Sequence, residues 1–248
     1  MTAEETGSTD QHPGSTAPVA LVVAIDGPSG SGKSSISRAV AQALSLAYLD
    51  TGAMYRAAAW WCLHRGLDLN DTEAVAAEVA SFPLQVGTDP GRPEVLVGGR
   101  DITADIRTSE ISTEVSKVAT NLAVRAELHH RQRAAIAAET RPGGFSHGRG
   151  IIAEGRDITT VVAPEAHVRI LLLADEDARL ARRAKELHGH TDGQVLASMR
   201  DQVLRRDADD STVANFSTAA DGVITVDTSA LAFDEAMATV RDLVEAGR

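Results

Sequence analysis

The apolar residues of this chain fall into short continuous runs, separated by longer stretches in which apolar positions recur with a helical period. Short apolar runs are typical of strands buried on both faces of a parallel sheet, and the longer stretches are typical of amphipathic helices. The runs predict strands at residues 19–25, 47–49, 151–153, 167–173 and 223–226. Because strands and helices alternate along the chain, we expect an α/β fold in which a parallel sheet carries helices on both faces.

The helical stretches fill the intervals between these strands. They predict helices at residues 36–44, 53–65, 72–81, 175–187, 194–206 and 234–246, and a longer helical region at 111–140. Asp71 precedes the third helix and is expected to cap it. Residues 189–193 contain two glycines and separate two helices, and this break favours a mobile lid.

One region departs from the alternation of strands and helices. Residues 84–86, 94–97 and 100–102 predict short strands, and residues 89–93 between the first two contain a Pro-Gly pair that is a strong turn signal. We therefore expect a small antiparallel sheet in addition to the parallel one.

Composition limits the classes of function. The 248 residues carry a net charge of −11, which argues against a protein that wraps a nucleic-acid polymer but is compatible with a local site for a small anion. Cys62 is the only cysteine, so no intrachain disulfide can form, as suits a reducing cytoplasm. No apolar run is long enough for a membrane span. The polar residues 1–18 lack the apolar core of a signal peptide, and we expect a disordered tail there.

A phosphate-binding loop is the strongest chemical signal. Residues 27–34 fit the pattern G-x-x-x-x-G-K-[ST] and lie between a predicted strand and a predicted helix, as such a loop requires. Backbone N–H groups and the positive end of the helix dipole then point at one anion. Lys33 can reach the β- and γ-phosphates of ATP, and the Ser34 hydroxyl can hold Mg²⁺. The expected ATP-binding residues are Gly27, Pro28, Ser29, Gly30, Ser31, Gly32, Lys33, Ser34 and Ser35.

Charged residues follow two further strands at the sheet edge where ligands bind in α/β folds. Arg56 lies shortly after the second strand and can hold a phosphate through two parallel hydrogen bonds. Glu154 follows the third core strand, where a carboxylate beside a P-loop can order the water molecules around Mg²⁺. Arg156 and Asp157 then offer a cation and an anion for reading a substrate.

A group of arginines lies in the predicted lid. Arg179, Arg182 and Arg183 share one helix face, and Arg205 and Arg206 end the following helix. Phosphoryl transfer depends mostly on positioning and charge stabilisation, so arginines that converge on a γ-phosphate suit that chemistry. The alternative interpretation of these arginines is a basic helix face that is simply exposed to solvent.

From about residue 19 to the last helix, the chain resembles the bacterial cytidylate kinases, nucleoside monophosphate kinases of the P-loop NTPase superfamily. The resemblance is carried in order by residues 25–34, 50–56, 105–108, 155–158, 206–207 and Asp210. It implies ATP- and Mg²⁺-dependent phosphorylation of CMP and dCMP. It also implies one kinase domain at 19–248, with a core (19–52 and 120–248), an NMP-binding insertion at about 53–119 and a lid at about 179–206.

The resemblance also implies roles for single residues. The cytosine contacts fall on Ser116, Arg125 and Asp157, the ribose contacts on Arg206 and Asp210, and the CMP phosphate contacts on Arg56 and Arg156, with Thr51 and Tyr55 in the same substrate site. The catalytic cations would be Lys33, Arg179, Arg183 and Arg206. Because CMP carries an amine where UMP carries a carbonyl oxygen, a carboxylate facing the base would discriminate between them.

This chain departs from the family pattern at three positions. The family usually has an arginine three positions after the ribose aspartate, where this chain has Val213. Thr159 and Ala163 replace a glycine and a phenylalanine in the loop after Asp157. We expect these changes to affect CMP affinity rather than the reaction.

Other functions remain as alternatives from the sequence. A P-loop kinase for UMP or a sugar acid would differ in its acceptor, and a binding module without turnover would release no ADP. A regulatory GTPase would need a guanine-reading Asn-Lys-x-Asp run, and the sequence contains none. We expect a cytoplasmic monomer whose partners are ATP and CMP or dCMP, with no nucleic-acid polymer and no membrane.

Overall fold

The computed structural model describes residues 19–188 and 193–247. In chain order the strands are β1 (Leu21–Asp26), β2 (Ala47–Asp50), β3 (Leu84–Val86), β4 (Val95–Val97), β5 (Arg100–Asp101), β6 (Gly150–Gly155), β7 (Val168–Leu173) and β8 (Ile224–Asp227). The helices are α1 (Lys33–Ala43), α2 (Thr51–His64), α3 (Thr72–Ser81), α4 (Ser109–Ala119), α5 (Leu122–Glu139), α6 (Glu176–His188), α7 (Gly193–Ser211) and α8 (Phe233–Ala246).

The main sheet has the strand order β2-β6-β1-β7-β8, and every neighbouring pair is parallel. Its central strands are buried on both faces, as their continuous apolar runs predicted. One face packs against α1 and α8 through Val40 and Val240, and the other packs against α2 and α5 through Ala57 and Leu128. The predicted α/β fold is confirmed.

The carboxyl ends of three strands meet at one edge of this sheet. In the strand register Asp26 of β1 pairs with Gly155 of β6, and Asp50 of β2 pairs with Glu154. The P-loop leaves β1 at this edge, and α2 leaves β2. The parallel topology therefore brings together segments that lie more than one hundred residues apart in sequence.

Glycine is required at the P-loop itself. Gly30 and Gly32 have φ angles of 79° and 90°, in the region that residues with a Cβ rarely adopt. A Cβ on Gly30 would lie 2.5 Å from the carbonyl oxygen of Arg179. The loop can therefore pass close to α6 only without a side chain at this position.

The second sheet is antiparallel and has the order β3-β4-β5, which confirms the small sheet predicted from the pattern of residues 84–102. It packs against α2 through Val95 and Val97, which are buried in the same core cluster as the α2 alanines.

Several helix boundaries differ from the prediction, and two of the differences bear on the site. Helix α2 begins at Thr51 rather than at residue 53, because the Asp50 carboxylate caps it and accepts a hydrogen bond from the Ala53 N–H at 2.9 Å. Helix α7 continues to Ser211, beyond the predicted end at residue 206, so Asp210 is helical.

The apolar pattern also missed two short turns. One is a 3₁₀ turn at Asp105–Arg107, and the other is a π-type turn at Ile158–Val162. The second turn is held by buried Asp26, which accepts hydrogen bonds from the N–H groups of Ile158 and Thr159 and from the Thr159 hydroxyl. The contact joins positions more than 130 residues apart, and local periodicity carries no signal for it.

Two expectations fall outside the described residues. These are the tail at residues 1–18 and most of the helix break at 189–193, of which 189–192 are not described. Among the helices of the described chain, none combines the length and the apolar character needed to cross a membrane.

Candidate active site

A cavity of about 360 Å³ lies at the carboxyl edge of the parallel sheet. It brings together most of the residues that the sequence singled out. The predicted site residues that line it are Ser29, Gly30, Gly32, Lys33, Ser34, Ser35, Thr51, Tyr55, Arg56, Arg125, Glu154, Arg156, Asp157, Arg183, Arg206 and Asp210. The predicted residues that do not line it are Gly27, Pro28, Ser31, Ser116 and Arg179.

The P-loop end of the cavity contains a cation, a hydroxyl and a carboxylate. Lys33 begins α1, and its Nζ donates to the Pro28 carbonyl at 3.4 Å. The Ser34 hydroxyl donates to Oε1 of Glu154 at 2.7 Å, and the Tyr48 hydroxyl donates to the same oxygen at 3.2 Å. Ser34 and Glu154 therefore present adjacent oxygens beside the loop that is expected to bind phosphate.

Burial shifts the pKa values of the charged side chains at the P-loop end of the cavity. Desolvation raises the pKa of Glu154 to about 7, and the nearby carboxylate of Asp50 adds to this, while Lys33 opposes it. Desolvation likewise lowers the pKa of Lys33, against the attraction of Glu154. The half-buried Lys33 and the buried Glu154 thus stabilise each other's charged forms.

The oxygen donors of Ser34 and Glu154 fit a hard divalent cation. Mg²⁺ prefers oxygen ligands, keeps several waters and usually takes only one or two ligands from the protein beside substrate phosphates. The described residues contain no cluster of three or more His, Cys, Asp or Glu side chains that could bind a metal alone. Ser34 and Glu154 could therefore supply the one or two protein oxygens that such a cation takes.

Arg56 lies in the second turn of α2 and is almost fully buried. Its guanidinium donates to the Ser112 hydroxyl at 2.8 Å and to the Ile106 carbonyl at 3.4 Å. Desolvation holds the pKa of Arg56 well below its usual range, and the nearby cations Arg206 and Arg183 add to this effect. The cavity thus contains a buried cation whose hydrogen bonds reach neutral oxygens, where an anionic ligand would be strongly attracted.

Asp157 also lines the cavity. It follows β6 and is buried, with 5% of the residue exposed. Arg125 of α5 donates to its Oδ2, and Nε2 of His129 lies 2.9 Å from the same oxygen. The second guanidinium nitrogen of Arg125 donates to the Ala119 carbonyl at 3.1 Å, at the end of α4.

A network of ion pairs connects β6, α6 and α7. Asp207 accepts hydrogen bonds from Arg179 and, at 2.8 Å, from Arg156, while Nε of Arg156 lies 2.7 Å from Asp210. Burial lowers the pKa of Arg206 to about 10, and the neighbouring charge of Arg156 contributes to this shift. The predicted ribose and phosphate residues are therefore already connected to one another in this structure.

Arg179 and Ser116 do not line the cavity, and their contacts are with other parts of the protein. Arg179 donates to the Ser29 carbonyl at 3.0 Å and to Asp207, so it braces the P-loop against α7. Ser116 is buried on α4, and its carbonyl accepts a hydrogen bond from the Thr120 hydroxyl.

Sequence reasoning missed three polar neighbours of the site. Asp207 binds Arg156 and Arg179, Arg107 pairs with Asp50 at 3.1 Å, and His129 contacts Asp157. Asp207 and Arg107 were noted only as parts of longer motifs. His129 could have been found from its position four residues after Arg125, because that spacing places both on one face of a helix.

The structure shows the surroundings of two of the residues that depart from the family pattern, Thr159 and Val213. The Thr159 hydroxyl, absent from a glycine, donates to Asp26 at 2.6 Å. Val213 follows α7 and is half-buried, and the cavity is lined by its neighbour Ala214 instead. Arg205 is exposed and does not line the cavity.

Comparison with known proteins agrees with the geometry. The family model for cytidylate kinase matches residues 23–246. The cytidylate kinase of Streptomyces avermitilis is 44% identical over 231 residues, which cover 92% of this chain and 94% of the relative. The cytidylate kinase of Cutibacterium acnes is 47% identical over 231 residues, covering 93% of this chain and 97% of the relative. The chain therefore belongs to the cytidylate kinase family, which confirms the predicted resemblance and the predicted enzyme class, a kinase.

Proposed function

We propose that this protein transfers the γ-phosphoryl group of ATP to CMP and dCMP, giving ADP and CDP or dCDP. Membership of the cytidylate kinase family supports this reaction. The single observation that carries the assignment of the site is that one cavity joins the P-loop, the buried cation Arg56 and the buried carboxylate Asp157.

ATP binds at the P-loop end. The backbone N–H groups at the start of α1 and the Lys33 ammonium hold the β- and γ-phosphates, and Arg183 adds positive charge to the same end. The Ser34 hydroxyl would hold Mg²⁺ directly, and Glu154 would hold it through water. When bound with ATP, Mg²⁺ supplies charge neutralisation of the β- and γ-phosphates.

The acceptor phosphate of CMP binds to Arg56 and Arg156. One of its oxygens attacks the γ-phosphorus, and the bond from that phosphorus to the β–γ bridging oxygen breaks, so the electron pair stays with ADP. The acceptor phosphate is already ionised near neutral pH, so its attack requires no general base. Catalysis then requires that the two phosphate groups be brought together and that their negative charge be balanced. The cations that balance it are Lys33, Arg179, Arg183 and Arg206.

Asp157 reads the base. Its carboxylate accepts a hydrogen bond from the cytosine amine, while Arg125 and Ser116 serve the acceptor atoms of the base. Uracil would place an oxygen against this carboxylate, which costs far more than a merely missing contact. Arg206 and Asp210 bind the ribose, and Thr51 and Tyr55 complete the substrate site.

The domain roles follow from this assignment. Residues 53–119 form the NMP-binding insertion, and about residues 179–206 form the lid. Arg156 and Arg179 exchange part of their bonding with Asp207 for bonding with phosphate when both substrates are bound.

We further propose that the enzyme acts as a cytoplasmic monomer, in keeping with the single buried Cys62.

A coupled assay of ADP release with CMP, dCMP, UMP and AMP tests the proposal. We expect CMP and dCMP to be the best acceptors, and Asp157→Ala to reduce the preference for CMP over UMP more than it slows the best substrate. ATP turnover that depends on none of these acceptors would contradict the proposed reaction. Unchanged selectivity in Asp157→Ala would contradict only the assignment of the base to Asp157.

A further inference from the structure

The carboxylate of Asp26 accepts three hydrogen bonds from the turn that follows Asp157. Asp26 ends β1 and is 1% exposed. Its Oδ1 accepts from the Ile158 N–H at 2.9 Å, and its Oδ2 accepts from the Thr159 N–H at 2.8 Å and from the Thr159 hydroxyl at 2.6 Å. Desolvation raises the pKa of Asp26, and the hydrogen bonds from this turn oppose the rise. Loss of a donor would therefore leave a buried carboxylate less well satisfied.

The backbone of Asp157 shows why these contacts matter for the site. Its φ and ψ angles are −146° and 22°, which are the values of neither a strand nor a helix, so the chain leaves β6 at this residue. Because the peptide group is planar, the ψ angle of Asp157 sets the direction of the Ile158 N–H. Asp26 holds that N–H, and so it fixes the direction in which the Asp157 side chain leaves the main chain.

The carbonyl groups of the turn are held by other residues. Arg133 of α5 donates to its last two carbonyls, at 2.8 and 3.3 Å, and Arg169 of β7 donates to the Thr159 carbonyl at 3.3 Å. The Asp157 carbonyl accepts from the N–H groups of the last two residues, at 2.8 and 3.2 Å. The arginines therefore anchor the carbonyl groups, whereas the first two N–H groups of the turn are held by Asp26.

We propose that Asp26 is a positioning residue for the acceptor, which acts through the turn that begins at Ile158 to set where Asp157 meets the base. The inference rests on the proposed function, because it needs Asp157 to read the base. Asp26 also directly precedes Gly27, where the P-loop begins, so one carboxylate fixes the base-reading turn relative to the loop that binds the donor. Thr159 adds the third hydrogen bond through a hydroxyl that a glycine would lack.

Substitutions of Thr159 separate this hydrogen bond from packing. Valine keeps the branched shape of threonine without the hydroxyl, and serine keeps the hydroxyl without the methyl group. Thr159 does not line the cavity, so these changes reach the acceptor only through the turn. Asp26→Asn is a stronger change, because the amide offers one acceptor oxygen where the carboxylate offers two. Either orientation of the amide leaves one of the two backbone N–H groups facing an NH₂ group.

The experiment measures kcat and KM for CMP and UMP in wild type, Thr159→Val, Thr159→Ser and Asp26→Asn, together with the KM for ATP and the melting temperature. We expect Thr159→Val to lower the ratio of kcat/KM for CMP to that for UMP by roughly fivefold. The change should lie in the KM for CMP, with the KM for ATP unchanged. Thr159→Ser should keep a ratio close to that of wild type. Asp26→Asn should lower the ratio further, and the Thr159 variants decide the matter if it does not fold.

Thr160→Val is the matched control, because it makes the same change at the next residue of the turn, which is exposed. It should leave the ratio and the KM for CMP unchanged. An unchanged ratio in Thr159→Val would overturn the inference, and so would an equal loss of kcat/KM for both acceptors, which is the result of a purely structural role. A loss in Thr159→Ser as large as that in Thr159→Val would overturn it too.

The wild-type enzyme separates this inference from the proposed function. If wild type prefers CMP and Thr159→Val keeps that preference, only the role of Asp26 is wrong. If wild type has no preference for CMP over UMP, the assignment of the base to Asp157 is wrong, and the inference fails with it.

Discussion

Two arginines assigned to the same acceptor phosphate occupy opposite electrostatic settings. Arg56, at the junction of α2 and α4, donates to the Ser112 hydroxyl and a backbone carbonyl, and burial lowers its pKa well below its usual range. Arg156, between β6 and α7, is paired with two carboxylates, Asp207 and Asp210. Both side chains line one cavity, but of the two only Arg156 forms ion pairs with carboxylates of the described residues.

The difference indicates two ways of preparing a phosphate site. Burial of a cation without an adjacent anion costs free energy in the unliganded protein, and an anionic substrate recovers it on binding. A cation that already forms ion pairs costs less to bury, but a phosphate must share it with the existing carboxylates. We therefore expect Arg56 to contribute mainly to affinity, and the Arg156 network to contribute mainly to the stability of the unliganded fold.

The largest effect is expected for Lys33→Ala, which removes a third cation that lines the same cavity. Lys33 is half-buried and donates to the Pro28 carbonyl, and under the proposed function its removal takes away a cation that holds the β- and γ-phosphates. We expect kcat to fall on the order of a hundredfold or more, with the fold intact. Steady-state kinetics and a melting curve check this. Lys117→Ala is the control, because Lys117 pairs with Glu114 on the surface of α4. A Lys33 variant that keeps most of its kcat would show that the loop does not bind the reacting phosphates.

Arg56→Met separates affinity from stability. Loss of a charge-assisted hydrogen bond of roughly 1.5–3 kcal/mol should raise the KM for CMP by about 10- to 100-fold. Because no carboxylate of the described residues forms an ion pair with Arg56, whose hydrogen bonds go to neutral oxygens, the melting temperature of the unliganded variant should stay the same or rise. Arg241→Met, on the exposed face of α8, is the matched control for both measurements. A variant with an unchanged KM and a lowered melting temperature would assign Arg56 to the same class as Arg156.

Asp207→Asn tests the second kind of cation. The change leaves Arg156 and Arg179 without a shared carboxylate, and we expect the free energy of unfolding to fall by about 2 kcal/mol, as for the loss of a hydrogen bond between charged groups. Chemical denaturation measures it, with Asp201→Asn on the exposed side of α7 as the control. An unfolding free energy equal to that of wild type would show that the network contributes no stability.

The difference in stability between wild type and Asp207→Asn should also depend on pH. Burial would raise the pKa of Asp207, but Arg156, Arg179 and the Ser29 N–H together hold it below its usual value of 3.8. Asp207 therefore stabilises the fold above that pH, and this contribution is lost as the pH falls through the lowered value. The difference in stability between wild type and Asp207→Asn should shrink in acid below about pH 4.

Val213→Arg has the smallest expected effect and asks whether a further cation helps. If the contact that the family usually makes is missing here, the KM for CMP should fall by up to about tenfold. Arg205 is exposed and outside the cavity, so it does not already supply this contact in the present structure. Kinetics with CMP varied at saturating ATP decide the matter. An unchanged or raised KM would mean that the site needs no further arginine.

The sequence was sufficient for features that are contiguous or periodic. Apolar runs predicted the five parallel strands, and alternation with a Pro-Gly turn predicted the small sheet at residues 84–102. Residues 27–34 predicted the P-loop, because its strand, glycines and helix start adjoin one another. Motifs in fixed order predicted the family, and with it most of the residues that line the cavity.

Only the tertiary structure decided which charges meet. Arg179 pairs with Asp207, 28 residues away, rather than lining the cavity, and Asp26 holds the turn at Thr159, 133 residues away. His129 lies against Asp157 because α5 crosses the end of β6 with that face turned inward. Periodicity records which face of an element is buried, but not which element covers it. Whether a buried cation has a counter-charge depends on which element covers it, because that counter-charge comes from another part of the chain.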